Sequence, residues 1–302
     1  MCDMKLAKFT IVPDTSFSLA AAAAFGFGPR TGRPKPGANQ MSLAFAADDM
    51  YHHAGAHLIQ EPDGAITVTV DTEADPEAML WQVRRVLSLD QDGARWAEVG
   101  TRDPVIGALQ REHDGLRPVL FHSPYEAAAW SIISARRYRG QAAVIRDRIS
   151  AEIGRTYTLA GEEIRAFPLP HRLLKADTLP GVAPNRVEWL HAVARAALDG
   201  ALDPRVLTSM AAEDALAYLQ KLPGIGPAYA TLVLLRATGV TDVLTFNEPR
   251  LPGYVAHFYG TGQGPVSATE LARISEGWRP FRTWAAVLLR VCGDRLGLPA
   301  AA

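Results

Sequence analysis

Between two stretches with the apolar spacing of helices, residues 221–230 read Lys-Leu-Pro-Gly-Ile-Gly-Pro-Ala-Tyr-Ala. No other feature of the chain constrains its fold as tightly. Gly224 and Gly226 allow positive φ and close approach of an anion, and Pro227 suits the first position of the helix that follows. Such a turn reverses the chain between packed helices. With no bulky side chain in front of the helix amides, it can also hold a phosphate without using Lys or Arg. Both readings stay open on the motif alone.

The rest of the composition narrows the class. A chain of 302 residues can bury a sizeable core and has room for about two domains. Its net charge of −1 excludes a broad polybasic surface, so any nucleic-acid contact must come from local placement. Cys2 and Cys292 lie far apart and do not by themselves make a zinc or iron–sulfur ligand set, which fits a reduced, cytoplasmic protein. His53 and His57 are spaced i, i+4 beside His52 but have no evident third ligand, so no metal site is expected there. The apolar run Leu19 to Phe27 is too short to span a bilayer and, following Asp14 and the strand-like Phe9 to Pro13, reads as a helix or strand of the fold.

Two regions of different character follow one another. From Phe9 to about Asp71 the pattern is β-rich. The Pro62-Asp63-Gly64 turn between His57–Gln60 and the alternating Ala65–Asp71 predicts a hairpin. Arg30 to Asn39, rich in Gly, Pro and basic residues, reads as an exposed loop, and Glu77 to Leu89 has helical spacing. Breakers from Asp92 to Ser123 read as a connecting segment. Beyond Pro124 helical periodicity continues to Cys292 with no run of strands. The expected fold is α+β, with a small N-terminal α/β domain built on an antiparallel sheet at 1–115 and an all-α region at 116–302.

Four blocks in order carry a resemblance to a known family. They are Ser123-Pro124-Tyr125-Glu126 with Ala129-Trp130-Ser131-Ile132-Ile133, Leu222-Pro223-Gly224-Ile225-Gly226-Pro227, Asp242-Val243-Leu244 with Glu248 and Leu251, and Trp278-Arg279-Pro280-Phe281-Arg282-Thr283-Trp284. In this order and spacing the chain resembles the helix-hairpin-helix DNA glycosylases, and within them the DNA-3-methyladenine glycosylase II group. The resemblance implies two helical subdomains flanking a DNA cleft, with an alkylated purine flipped out of duplex DNA and its N-glycosidic bond hydrolysed. Extrusion is required because the bond is out of reach within the stack. The partner implied is double-stranded DNA carrying alkylated bases, with no membrane and no obligate protein partner.

What the resemblance implies for single residues is uneven. The family's catalytic aspartate falls at Glu248, whose extra methylene moves the oxygens by about one bond length, enough to affect rate strongly. Three readings stay open: Glu248 is the catalytic group, it merely opens a helix with Asn247 and Pro249, or another acid such as Asp242 takes over, although Asp242 at the loop start is better placed to cap or pair. An inactive damage-recognition protein is therefore the alternative to an enzyme. Where some members carry a Schiff-base lysine this chain has Ala228, so hydrolysis without strand cleavage is expected. Lys221, Gly224, Ile225 and Gly226 would hold the DNA backbone. Arg136 falls at the wedge position, with Arg137 and Tyr138 beside it as further DNA contacts. Tyr125 and Trp278 are the expected base-pocket aromatics, chosen from a set that includes Phe246, while Trp189 is expected to pack. No cofactor is expected, apart from a monovalent cation that the resemblance implies on the carbonyls of Leu222 and Ile225.

Overall fold

The computed structural model describes residues 5–25, 39–244, 248–262 and 264–298. Nearly all of the loop expected at Arg30–Asn39 lies outside the described residues, as do Cys2, Phe246 and Asn247. The chain begins with β1 (Lys5–Ile11), α1 (Leu19–Ala24), β2 (Gln40–Ala46), β3 (His53–Gln60), β4 (Ile66–Thr72) and α2 (Pro76–Val86). Next come α3 (Gly93–Arg102), α4 (Pro104–Glu112), α5 (Pro124–Ser134), α6 (Arg139–Ile153), β5 (Arg155–Leu159) and β6 (Glu162–Ala166). Then α7 (Pro170–Leu173), α8 (Pro184–Leu198), α9 (Pro204–Ser209), α10 (Ala212–Leu219) and α11 (Pro227–Ala237) follow. Last are α12 (Leu251–Tyr259), α13 (Ala268–Ser275) and α14 (Arg282–Arg295). A small antiparallel sheet leading into a mostly helical chain is the α+β class expected. No helix among the described residues is long and apolar enough to cross a membrane.

These elements form two compact units, neither continuous in sequence. The first gathers Met1–Pro13, Ser18–Asp90 and Val119–Gly239, and the second Asp14–Phe17, Gln91–Pro118 and Val240–Ala302. The expected division at 115/116 is therefore not the one observed. The sheet shares a unit with α5 to α11, and α3 and α4 belong with α12 to α14.

In the first unit the sheet order is β1-β4-β3-β2, all antiparallel. The predicted hairpin forms with Gln60 opposite Ile66, and Gly64 adopts φ +88° in its turn. Alternation on β4 is complete, since Ile66, Val68 and Val70 are buried while Thr67, Thr69 and Asp71 are not. The second hairpin, β5–β6, corrects the expectation of no strands beyond Pro124. It folds back onto the sheet, where Tyr157 packs with Ala44 and Ala166 and lies so close to Gly55 that an added Cβ would sit 2.7 Å from its ring.

The centre of this unit is α5. Every residue from Pro124 to Ile133 is buried, as expected of a helix that is apolar all round. Ser123 caps it by accepting from the Glu126 N–H, and Pro124 stands at the first turn. Glu126 is buried in this apolar setting, and three partners account for it. Its carboxylate accepts from the Ala46 N–H at 3.2 Å and meets His122 Nδ1 at 3.1 Å and Arg146 Nη2 at 3.3 Å. Burial opposes its charge, but His122, Arg146 and the Ala46 amide outweigh burial and lower its pKa to about 2. Arg85 on α2 closes the unit by donating to the Ala237 carbonyl at 2.6 Å and the His122 carbonyl at 3.0 Å while pairing with Asp48 at 2.8 Å.

In the second unit Asp103-Pro104 does not break structure but joins two helices. Asp103 ends α3 and caps α4, accepting from the Val105 and Ile106 amides, and Pro104 begins α4. The connecting segment expected over 92–123 is thus two helices, which cross so closely that a Cβ on Gly107 would lie 2.3 Å from the Gly100 carbonyl oxygen. Trp96, Phe281 and Trp284 form the aromatic core, with ring centroids 5.0 to 5.8 Å apart.

Candidate functional site

The hairpin closes the first unit between α10 and α11. Gly224 takes φ +81°, and a Cβ there would also lie 2.5 Å from Trp189 Cε3, so this position is glycine for two independent reasons. Trp189 packs under the turn, as expected. Gly226 differs from its expected role, because it is extended at φ −82°, ψ −178° and serves as the N-cap of α11. A Cβ on Gly226 would meet nothing within 4 Å, so what glycine leaves there is open space in front of the α11 amides. Lys221, Gly224, Gly226 and Ala228 are exposed and Ile225 is buried. Lys221 Nζ lies 5.7 Å over the Tyr218 ring. The Leu222 carbonyl accepts from the Ile225 N–H at 3.1 Å, which leaves one of its two lone pairs, and the Ile225 carbonyl accepts no backbone hydrogen bond among the described residues.

The break between α5 and α6 separates three residues that were grouped in sequence. Arg136 is exposed with φ +58°, and Tyr138 is 82% exposed. Arg137 is occupied within its own unit, donating to the Ile133 carbonyl at 2.7 Å and the Gly181 carbonyl at 3.0 Å.

Glu248 lies in the second unit, ahead of α12, whose N-cap is Arg250. Its side chain is half-buried. Oε1 accepts from Arg250 Nε at 3.1 Å, and Oε2 lies 3.6 Å from Arg290 Nη1. Asp294 completes the cluster by accepting from Arg250 at 2.8 Å and from the Tyr254 hydroxyl at 2.6 Å. Sequence reasoning missed Arg290 and Asp294, although their i, i+4 spacing on one helix was a signal. Asp242 is committed elsewhere, to Arg282 Nε at 2.7 Å and Arg279 Nη1 at 2.8 Å, in keeping with a pairing role.

The two aromatics expected in a base pocket are core residues. Tyr125 has no exposed surface, donates its hydroxyl to the Pro168 carbonyl at 2.9 Å and packs on Phe167. Trp278 is equally buried, its Nε1 donating to Asp103 at 3.2 Å and to the Tyr259 hydroxyl at 2.8 Å. Each satisfies its polar atom inside its own unit, so neither presents a face to a ligand.

No model of a known protein family matches the sequence. The chain is 23% identical over 219 residues to a DNA-3-methyladenine glycosylase from Bacillus subtilis (strain 168), covering 70% of this chain and 71% of that protein. A solved 3-methyladenine DNA-glycosylase from Archaeoglobus fulgidus superposes with a TM-score of 0.75 at 21% identity, over 96% of this chain and all of the other. The fold is that of the helix-hairpin-helix DNA glycosylases. A Clostridium acetobutylicum 8-oxoguanine glycosylase/lyase, solved with dsDNA containing cytosine opposite 8-oxoG, shares this glycosylase fold at a TM-score of 0.65 and 16% identity, over 99% of this chain. Within this shared fold, the Leu222–Gly226 turn joins α10 to α11.

Proposed function

We propose that this protein is a monofunctional DNA glycosylase that releases an alkylated purine from duplex DNA. The observation that carries the reading is the hairpin, where Gly226 leaves open space before the amides of α11 in a fold shared with glycosylases. Those amides, with Lys221 and Gly224, would hold one backbone phosphate. The carbonyls of Leu222 and Ile225, with lone pairs to spare, would hold a monovalent cation that bridges to the same phosphate. With Arg137 tied to its own unit, Arg136 and Tyr138 are the side chains left to fill the gap in the stack.

Chemistry falls to Glu248. An alkylated purine is cationic and leaves as a neutral base, taking the bonding electrons of the broken N-glycosidic bond. Water adds its oxygen to the sugar C1′ and gives up a proton to the carboxylate or solvent. A carboxylate held by Arg250 and Arg290 would stabilise the positive charge that develops on the sugar. Ala228, in place of a lysine, offers no amine for a Schiff base, so strand cleavage is not part of the reaction.

The second reading, a catalytically inactive DNA-binding protein, is favoured by the same cluster, since both carboxylate oxygens of Glu248 already face a guanidinium. Chromatography of methylated duplex DNA after incubation separates the two. Release of 3-methyladenine or 7-methylguanine by the native protein, lost in Glu248→Gln with DNA binding kept, supports the enzyme. Unchanged release by Glu248→Gln removes Glu248 from the mechanism, and no release by the native protein under any condition supports the binding module.

A further inference from the structure

The first unit holds a cavity of about 380 Å³ that is separate in sequence from the hairpin and from the α5–α6 break. It opens where the loop before β3 and the start of β5 meet α7, and this volume falls within the ~300–1,000 Å³ of small-molecule sites. Its wall holds two guanidinium groups, Arg155 and Arg172, the imidazoles of His171 and His53 and the ring of Tyr51, with Glu73 the one acid in the lining. That acid is already held by Arg155 at 3.0 Å. Arg172 and Lys175, both exposed on and just beyond α7, have no carboxylate partner among the described residues. His52, at the rim, is paired with Asp49 at 2.7 Å.

We propose that this cavity binds a nucleoside phosphomonoester, with the phosphate on Arg172, His171 and Arg155 and the base against Tyr51. Arg172 lines the cavity without a carboxylate on it, Lys175 stands three residues further along, and guanidinium groups favour phosphate because of their planar fork. Tyr51 is 59% exposed at the mouth and offers a ring face on which any base can stack. His53, whose Nε2 is fixed by the Phe167 carbonyl at 2.9 Å, forms the floor. Burial first, then the charges of Lys175 and Arg172, lowers the pKa of His171, so it enters the site as a neutral imidazole that can donate to phosphate.

The source is either a free nucleotide or the phosphorylated end of a DNA strand. Calorimetric titration of the full chain with dAMP and with deoxyadenosine tests the site without reference to base release, so its outcome is independent of the glycosylase reading. The expected result is binding of dAMP but not deoxyadenosine, weakened at least ~tenfold by Arg172→Glu with an unchanged melting temperature. If Arg172→Glu melts early, Lys175→Glu gives the same readout from outside the helix. Displacement of dAMP by a 5′-phosphorylated oligonucleotide but not by its 5′-hydroxyl twin identifies strand ends as the source, and no displacement by either identifies the free nucleotide. No binding of dAMP, or equal affinity in the native and charge-reversed proteins, overturns the proposal.

Discussion

Two glutamates, one in each unit, show how differently the same side chain can be used. Glu126 is buried on α5 with an amide, an imidazole and a guanidinium around it, whereas Glu248 is half-exposed with two guanidinium groups at 3.1 and 3.6 Å. For the first, the charge is locked into the core, and removing it leaves His122 and Arg146 facing an empty space. For the second, solvent screens the pairs, and each contributes little to folding. Burial with full satisfaction therefore marks Glu126 as a structural carboxylate, whereas Glu248, though paired, stays in contact with solvent.

The strongest way to break this contrast is Glu126→Ala, which should cost roughly 3–5 kcal/mol by stranding a buried cation. Denaturant melts would measure it, and a loss under 1 kcal/mol would show that the site relaxes. The pH dependence has a definite sign. With a folded-state pKa of about 2 against an ordinary 4.5, Glu126 stabilises the protein above pH 4.5, and that contribution fades as pH falls towards 2. In acid titration the native protein should lose more stability across that window than Glu126→Ala, in which the other lowered carboxylates, such as Asp14 and Asp203, still titrate. Next in size is Gly224→Ala, where positive φ and the approach of Trp189 together should cost about 1–3 kcal/mol. Gly226→Ala enters open space, so its cost to stability should be about 1 kcal/mol or less. Its effect should appear as weaker duplex binding, read by fluorescence anisotropy. Glu248→Gln should move stability by under about 1 kcal/mol, leaving its effect in base release. The smallest change concerns Cys292, whose thiol is pushed up to about 12, first by burial. In a Cys2→Ser background a thiol reagent at pH 8 should leave Cys292 unmodified in both the native protein and Glu248→Gln. Fast modification of the variant alone would mean that the Glu248 cluster does hold the second unit together.

The parts of this fold that were legible in sequence are those set by neighbours in the chain. The Pro62-Asp63-Gly64 turn, the positive φ of Gly224 and the place of Pro227 in the first turn of α11 all act within a few residues, and each forms as read. Asp103-Pro104 was misread for an instructive reason. The same pair that ends one helix can begin the next, and the second helix forms because Ile106 and Leu109 are buried and Gly107 packs closely on Gly100. β5 and β6 escaped notice because strands of five residues, one opening with Glu162 and Glu163, show too little alternation to be distinguished from a helix edge. Positive φ was assigned to both hairpin glycines, although Gly226 works through the space it leaves. Tyr125 and Trp278 were expected in a pocket because aromatic rings suit one. Their hydroxyl and indole partners, Pro168 and Asp103, lie too far along the chain to be read from sequence. The cluster around Glu248 was hidden in the same way, since Arg290 and Asp294 join it from another helix.

The discontinuity of the first unit has a consequence for how the protein is made. Arg85 bonds the Ala237 carbonyl, the Phe121 amide donates to the Arg236 carbonyl at 2.7 Å, and Arg236 returns a bond to Val119 at 2.8 Å. Arg85 on α2 therefore waits, during synthesis, for a helix that emerges more than a hundred residues later. Until then α3 and α4 are also without the helices they pack against, so a nascent chain ending near residue 115 has no finished core to retreat into. Apolar surface left open in this way is what makes an incomplete chain prone to aggregate.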